Sequence, residues 1–528
     1  MFIEVLHRAY GYGLLGLLAL FFLRAYRHRD HRKLPYGILS VTEAWMYLLR
    51  GRSIIERGAQ KLGAVADNFS RTIRASQCLP APGTRMHVVS SVNHWKEISN
   101  AHCGKLSAHA VSKEMFRPQY SMGGIEWSEY RDEDGMPATR GVRTVTHQLP
   151  HLTPKFAAAF DAQFSSTLKE LPHDSKFTNN GYWPQMMRAR ICLSTHHANL
   201  TTLYDHREYK PVIRAIFRLE SVRRSLFAHV GDLVAERKKK NRFQDPSLKP
   251  NSVLESIVDV CPRYFSDERM VVDVIMSWIT TNALAVTGAL LLVDLCNYTE
   301  HVPALCQELV DLYKDPVADL DKLRFLESFI MESSRTNAFM GVMAQRIAIE
   351  DFTFSGGYTI PEGQWVQLNQ QRWLQDPNTY PRPEHFDPYR KLYQARRFTD
   401  VSPEWPIWGV PKLACPGKHH VLVVMKLLLI HVVSNYEVDS VAGKSGKVDW
   451  WEARLPNSKA RLMMRKRVCQ RGVSYVIRRL QLFTDGFHGH NQTQPCRDDV
   501  QSRFIANTYR QDRWYPGTVE NFNFLRYT

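Results

Sequence analysis

The stretch that decides the fold reads Trp408-Gly409-Val410-Pro411-Lys412-Leu413-Ala414-Cys415-Pro416-Gly417-Lys418. It runs directly into Lys418–Ser434, an apolar segment predicted to be a long helix. A cysteine thiolate needs its negative charge stabilised, and backbone N–H groups at a helix N-terminus do this through hydrogen bonds and the helix dipole. Gly417 lets the backbone pass close to a flat ligand, and Trp408 can pack near the sulfur and restrict solvent. Taken alone, however, a cysteine in a loop before a helix is more typical of an ordinary loop cysteine than of a ligand.

This loop resembles the heme-binding signature of the cytochrome P450 family, F-x-x-G-x-x-x-C-x-G. The resemblance implies that Cys415 is the sulfur ligand of a heme b iron, with Trp408, Gly409 and Gly417 around the cofactor. Three positions depart from the family's pattern: Trp408 replaces the usual Phe, Pro411 stands where the family has glycine, and Leu413 where a basic residue often meets a heme propionate. Ala414-Cys415-Pro416-Gly417 is further similar to fungal members.

Two more motifs precede the loop in the family's order. Glu332-Ser333-Ser334-Arg335 lies on a predicted helix, Phe325–Asn337, where residues three apart share a face and can pair. By itself this pattern is no more than an ordinary surface ion pair. Phe386-Asp387-Pro388-Tyr389-Arg390 resembles the family's F-x-P-E-R segment. The resemblance implies that Arg335 and Arg390 clamp the Glu332 carboxylate and lock the surroundings of the cysteine loop.

The family's central helix carries A-G-x-[DEH]-T, whose acid and alcohol relay protons to oxygen. Aligned on the helix end at Asp294-Leu295, the motif falls on Ile279-Thr280-Thr281-Asn282-Ala283. Asn282 then occupies the acid position, Ala283 the alcohol position and Thr280 the position of the glycine. Ala283 cannot relay a proton, so Thr280, Thr281 or a water held by Asn282 is expected to substitute. A slip of four residues would instead place Thr287 in the alcohol position.

The periodicity predicts a mainly α fold with small β-sheets, and the resemblance implies the cytochrome P450 fold in a single large heme domain. Helical spacing covers Phe156–Leu171, Pro211–Lys240, Asp267–Leu295 and Val302–Tyr313. Short strands are predicted at Ile347–Ile349, Phe352–Phe354, Trp365–Leu368 and Ala460–Met464, separated by Gly- and Pro-containing turns.

Composition indicates the class of protein, its binding partners and its compartment. Of 528 residues 44% are hydrophobic and 23% charged, which is globular. The net charge of +17 is spread along the chain, so we expect an anionic membrane or an acidic protein as partner and no nucleic acid. The nine cysteines show no C-x-x-C spacing, which argues against a disulfide framework or structural zinc and favours a reducing compartment.

The N-terminus has the pattern of a membrane anchor. Ala9–Leu23 is apolar or glycine, and Arg24, Arg27 and Arg29 follow it. Positive charge after the apolar run should stay cytosolic, whereas a cleaved signal peptide would carry it before the run. We therefore predict an anchor at 1–24, a basic and proline-containing hinge at 25–40 and a heme domain at 41–467. The expected location is the endoplasmic reticulum membrane, single-pass, in contact with lipid and with the catalytic domain cytosolic.

Residues 468–528 follow the point where the family resemblance fades. They are polar, rich in Arg, Asn and Gln, and without clear periodicity. Three interpretations stay open: a disordered extension, a partner-binding tail, or an artefact of the gene model.

Taken with the resemblance, these patterns predict a microsomal monooxygenase. It would oxidise an apolar small molecule, such as a secondary-metabolite intermediate, with O2 and electrons passed from NADPH through an NADPH-cytochrome reductase, a flavoprotein. Lys412 and Lys418 could steer that acidic partner. The alternative is a heme-binding isomerase, dehydratase or inactive pathway scaffold, which Pro411, Leu413 and Ala283 motivate.

Overall fold

The computed structural model describes part of the chain: residues 50–56, 76–81, 84–116, 137–150, 152–154, 157, 219–242, 250, 252–261, 265–279, 282–312, 320–390, 393, 395–440, 446–450, 452–457, 462–466 and 515–517. The predicted anchor and hinge, the predicted helix Phe156–Leu171 apart from residue 157, and most of 468–528 lie outside these ranges.

Helices dominate the described residues. They are α1 (Val92–Asn100), α2 (Ala108–Phe116), α3 (Pro137–Thr146), α4 (Leu219–Arg242), α5 (Val253–Val260), α6 (Asp267–Ile279), α7 (Asn282–Asn297), α8 (Val302–Asp311), α9 (Arg324–Thr336), α10 (Gln370–Leu374) and α11 (Lys418–Asn435). Short 3-10 turns occupy Thr299–His301, Leu320–Lys322, Pro406–Trp408 and Pro411–Leu413.

The core lies where α7, α9 and α11 pack together. In α9, Leu326, Phe329 and Ile330 recur at helical spacing and are fully buried. The sequence of α11 is apolar on nearly all sides, so it is a core helix covered all round. Burying each such side chain contributes about 1.5–3 kcal/mol. The hydrophobic cluster of α7, α9 and α11 includes Trp408, so the cysteine loop packs against this core.

Strands form small sheets around the helices. They are β1 (Ser76–Ala81), β2 (Thr84–Val89), β3 (Leu106–Ser107), β4 (Met343–Ala348), β5 (Phe352–Thr353), β6 (Thr359–Ile360), β7 (Trp365–Leu368), β8 (Tyr436–Ser440), β9 (Lys447–Trp450), β10 (Ala453–Pro456), β11 (Leu462–Lys466) and β12 (Tyr515–Gly517).

The largest sheet has the order β1-β2-β7-β4-β3. Its β2 and β7 run parallel, with Met86 opposite Trp365, and the other pairs are antiparallel. All four residues of β7 are buried, as expected of a central strand covered on both faces. The smaller sheets pair β9 with β10, β5 with β6, and β11 with both β8 and β12. Because β12 pairs with β11, Tyr515–Gly517 of the C-terminal extension completes an edge of this domain.

The predicted mainly α class with small sheets is confirmed, and β7 has the predicted bounds. One prediction is wrong: the single helix over Asp267–Leu295 is two helices, α6 and α7. Between them lie Thr280 and Thr281, outside the described residues; their β-branched side chains and the asparagine that follows favour helix ends over helix interiors.

Among the described residues, no single helix has the length and apolar composition needed to cross a membrane. Ala283–Asn297 and Thr299–Asp311 meet those criteria only as a pair, and the pair is bent by 84°.

Candidate functional site

The cysteine loop is shaped by its own backbone. The Cys415 N–H donates to the Trp408 carbonyl at 2.9 Å, closing the loop on itself. Gly409 has a φ of 97°, a conformation that favours glycine and turns the chain between the two 3-10 turns. Pro411 begins the second turn, where a fixed φ is tolerated and no N–H is needed. The departure at Pro411 is therefore compatible with a closed loop.

The Cys415 sulfur lies just before the start of α11. Desolvation by surrounding protein raises the pKa of the Cys415 thiol, although the residue as a whole is exposed. Backbone N–H groups of Gly417 and Lys418 and the Lys418 charge act in the opposite direction, because they stabilise the thiolate. The site can thus hold a thiolate when a cation replaces the proton.

The Trp408 ring is buried in the core beside the loop. Its plane is perpendicular to that of Phe398 with ring centroids 5.0 Å apart, and its indole N–H donates to the Phe398 carbonyl at 2.5 Å. Trp408 contacts Cys415 through its backbone, since the Trp408 carbonyl accepts the hydrogen bond from the Cys415 N–H. Trp408 therefore anchors the loop to the protein interior.

Glu332, Arg335 and Arg390 meet in one buried cluster. Arg335 grips the carboxylate of Glu332 with two parallel hydrogen bonds of 2.8 and 2.7 Å. The Nε of Arg390 lies 3.3 and 3.2 Å from the same two oxygens. Glu332 and Arg335 are wholly inaccessible to solvent, and Arg390 is buried. The ends of both guanidinium groups donate to backbone carbonyls, which pins the segment around His385 to α9.

Sequence reasoning missed a further member of this cluster, Tyr393. Its hydroxyl donates to Glu332 at 2.5 Å, and the Asp387 N–H donates to the other carboxylate oxygen at 2.9 Å. Burial alone would raise the pKa of Glu332, but the hydrogen bonds and charge of Arg335, with Tyr393 and the Asp387 amide, hold it below its ordinary value. Tyr393 follows the Phe-Asp-Pro-Tyr-Arg motif by three residues, which was the available signal.

The predicted proton-relay residues lie at the start of α7. Asn282 is its first residue and Ala283 its second. Thr280, Thr281 and the side chain of Asn282 lie outside the described part of the chain. One turn later, the Thr287 hydroxyl donates to the Ala283 carbonyl at 2.7 Å, so it is engaged with its own helix.

A buried arginine on β4, Arg346, is a candidate partner for an acidic group of a heme. Arg346 is buried, and desolvation lowers the pKa of its guanidinium to about 10. Among the described groups its hydrogen bond is to the Gln345 carbonyl, and no carboxylate there counteracts the desolvation. A buried guanidinium without a carboxylate partner suits an acidic ligand group. Arg346 therefore fits a heme propionate, while Leu413, in the usual basic position, is exposed. Sequence reasoning missed Arg346; its signal was one charged residue within the short apolar run of β4.

Comparison with known proteins agrees with this geometry. Residues 193–461, just over half of the chain, match the sequence model of the family described as Cytochrome P450. The chain belongs to the cytochrome P450 family, whose cofactor is a cysteine-ligated heme.

Curated relatives are fungal proteins. The cytochrome P450 monooxygenase sdnB of Sordaria araneosa is 32% identical over 211 residues, which is 35% of this chain and 38% of the relative. The fusicoccin H C-9 hydroxylase of Phomopsis amygdali is 32% identical over 165 residues, 29% of this chain and 32% of the relative. The alignments with such relatives thus span well under half of their length.

Among solved structures, the retinoic acid-bound cyanobacterial CYP120A1 superposes with a TM-score of 0.56 at 16% identity. The superposition covers 80% of this chain and 96% of that one. At this identity the likeness establishes the fold, which is the cytochrome P450 fold.

Proposed function

We propose that this chain is a heme-thiolate monooxygenase that inserts oxygen from O2 into an apolar small molecule. The observation that carries the proposal is the Cys415 loop, closed by the hydrogen bond from Cys415 to Trp408 at the start of α11. A bound heme supplies dioxygen activation and one-electron chemistry.

The chain's own residues have separable tasks at that site. Cys415 would hold the heme iron through its thiolate, and the Gly417 and Lys418 N–H groups stabilise negative charge on its sulfur. Arg346 would hold a propionate. The Glu332 cluster keeps the segment around Arg390 fixed to α9, so that the loop has one geometry.

The proposed substrate is apolar and resembles a secondary-metabolite intermediate. Support comes from relatives such as the fusicocca-1,10(14)-diene-8beta,16-diol C-9 hydroxylase of Phomopsis amygdali, whose named substrate is a diene diol. On this chain, Val286 and Leu290 of α7 pack with Phe339, Met340 and Trp450 in an apolar cluster. We propose that this cluster borders the substrate, since an apolar surface favours hydrocarbon over charged groups.

The proposed electron donor is NADPH, through a flavoprotein reductase with an acidic surface. Lys412 is exposed beside the cysteine loop and can steer that partner. Lys418 is less suited, since its ammonium donates to the Thr399 carbonyl at 2.5 Å. We further propose that residues 1–24 anchor the protein in the endoplasmic reticulum membrane with the heme domain in the cytosol.

The test is the spectrum of the purified, reduced protein under carbon monoxide. A thiolate-ligated heme gives a red-shifted Soret band, and we expect this band in the unmodified protein. Cys415→Ser should abolish it, whereas Cys103→Ser, a thiol outside the loop, should keep it. Bound heme without the red-shifted band in the unmodified protein would overturn the proposal.

A second candidate is a heme-binding isomerase, dehydratase or inactive scaffold. The observation that favours it is α7 itself: position 283 has no hydroxyl, and that of Thr287 is bonded to the helix backbone. Conversion of a substrate without NADPH and reductase would support the isomerase or dehydratase. NADPH-dependent oxygen insertion would exclude this candidate.

A further inference from the structure

A second buried carboxylate of α9, Glu327, contacts a different part of the chain from Glu332. It accepts two hydrogen bonds of 3.0 Å from the Arg397 guanidinium and one of 2.9 Å from the Phe398 N–H. The Lys426 ammonium, from α11, donates to it at 2.8 Å. Glu327 and Lys426 are each only 1% exposed, so this carboxylate holds the backbone at Phe398 from inside the protein.

The opposite side of the same backbone supports the cysteine loop. The Phe398 carbonyl accepts the indole N–H groups of Trp405 and Trp408 at 2.8 and 2.5 Å. The Trp408 carbonyl in turn accepts the Cys415 N–H at 2.9 Å. An unbroken series of hydrogen bonds therefore leads from the Glu327 carboxylate through Phe398 and Trp408 to Cys415.

Burial of the Glu327–Lys426 ion pair is by itself weak evidence that the pair stabilises the fold. Desolvating two charges costs much of what their attraction returns, and buried pairs can often be replaced by apolar residues of similar volume. What apolar residues cannot replace is the acceptor for the Phe398 N–H. The Arg397 and Lys426 cations hold that acceptor in one position, and Lys426 is itself fixed by the Leu320 carbonyl at 2.7 Å.

We infer that Glu327 is a positioning residue for the cysteine ligand: its carboxylate fixes Phe398, and through Trp408 it sets the place of Cys415. This role rests on the proposed heme-thiolate function and adds to it a residue outside the Glu332–Arg335–Arg390 cluster.

Two double variants separate the hydrogen bond from the charge. In E327Q/K426M both charges are removed, but the glutamine oxygen still accepts from Phe398. In E327L/K426M the acceptor is lost as well. The readout is the fraction of bound heme with the red-shifted Soret band of the reduced carbon monoxide complex. We expect E327Q/K426M to stay near the unmodified protein and E327L/K426M to fall several-fold. As a matched control, Asp259→Asn removes the carboxylate that pairs with the buried Arg237 between α4 and α5, helices whose apolar residues form another hydrophobic cluster, and should leave the fraction unchanged.

A pair of single variants gives the same test if E327L/K426M does not fold. Trp405→Phe and Trp408→Phe each remove one indole donor from the Phe398 carbonyl, but only Trp408 continues to Cys415. Trp408→Phe should lower the thiolate-ligated fraction several-fold and Trp405→Phe should not.

Equal fractions in both double variants, equal effects of the two tryptophan variants, or an equal loss in Asp259→Asn would overturn the positioning role alone. Bound heme without the red-shifted band in the unmodified protein would instead overturn the proposed function, and this role with it.

Discussion

Replacing Glu332 by glutamine is the sharpest test of the buried cluster that fixes the Arg390 segment. The carboxylate is wholly buried and accepts hydrogen bonds from Arg335, Arg390, Tyr393 and the Asp387 N–H. Glutamine has one oxygen acceptor and adds an NH2 donor, which faces other donors here. The change also leaves two buried guanidinium groups without their counter-ion.

The size of the effect follows from that burial. Breaking a buried pair by removing one partner costs about 3–5 kcal/mol. Arg335 and Arg390 keep backbone acceptors, the Leu374 and Pro381 carbonyls at 2.9 and 2.7 Å, so part of their hydrogen bonding survives. We therefore expect Glu332→Gln to lower the free energy of unfolding by about 3 kcal/mol.

The matched control is Glu350→Gln. Glu350 pairs with Lys105 at 3.1 Å, but their side chains are 56% and 58% exposed, so its loss should cost about 0–1 kcal/mol. Chemical unfolding followed by circular dichroism measures both variants under the same conditions. If Glu332→Gln changed the free energy of unfolding no more than Glu350→Gln does, the reasoning from burial would be refuted.

Four further variants test single positions. Gly141→Ala should lower the free energy of unfolding by about 1–3 kcal/mol, because a Cβ there would lie 2.6 to 2.9 Å from Ile257 atoms. Gly231→Ala has no described atom within 4 Å of the new Cβ and should raise it by up to ~1 kcal/mol, since alanine favours the helix. Chemical unfolding measures both variants. Burial lowers the pKa of His94 below its ordinary 6.5, so the unfolded state binds the proton more readily and the free energy of unfolding falls as the pH drops below 6.5. His94→Phe should flatten the dependence of unfolding free energy on pH in this range, and an unchanged dependence would contradict the reasoning. Ala283→Thr should raise product formed per NADPH consumed, and unchanged coupling would tell against assigning the alcohol position to 283.

The cysteine loop and the Glu332 motif could be predicted because their chemistry is local in sequence. A helix-spaced Glu and Arg, and a cysteine followed by glycine and a helix, each leave a short pattern. Glu327 leaves none: its partners Arg397, Phe398 and Lys426 are 70 to 99 residues away, and only the folded chain brings them together. Its sequence context is that of any acidic residue on an amphipathic helix.

The interruption between α6 and α7 was missed for a different reason. Apolar periodicity continues across Thr280 and Thr281, so the pattern predicted one helix. Periodicity indicates which face of a helix is buried. Whether the helix continues depends on helix propensity, which is lower for β-branched residues and asparagine. Position 283, to which the sequence assigns the family's alcohol, thus lies at the N-terminal end of α7, within its first turn.

The departures from the family's pattern differ between the cysteine loop and α7 in whether another described residue can replace the missing group. On the thiolate side each has a structural substitute: Gly409 provides the turn that Pro411 cannot, and Arg346 provides the buried guanidinium that Leu413 lacks. On the α7 side, the described hydroxyl nearest to Ala283 in sequence, that of Thr287, is bonded to the helix itself. Under the proposed monooxygenase function, proton delivery at α7 would then depend on residues 280–282 or on ordered water, and the ratio of product to NADPH consumed is the quantity in which that dependence is measurable.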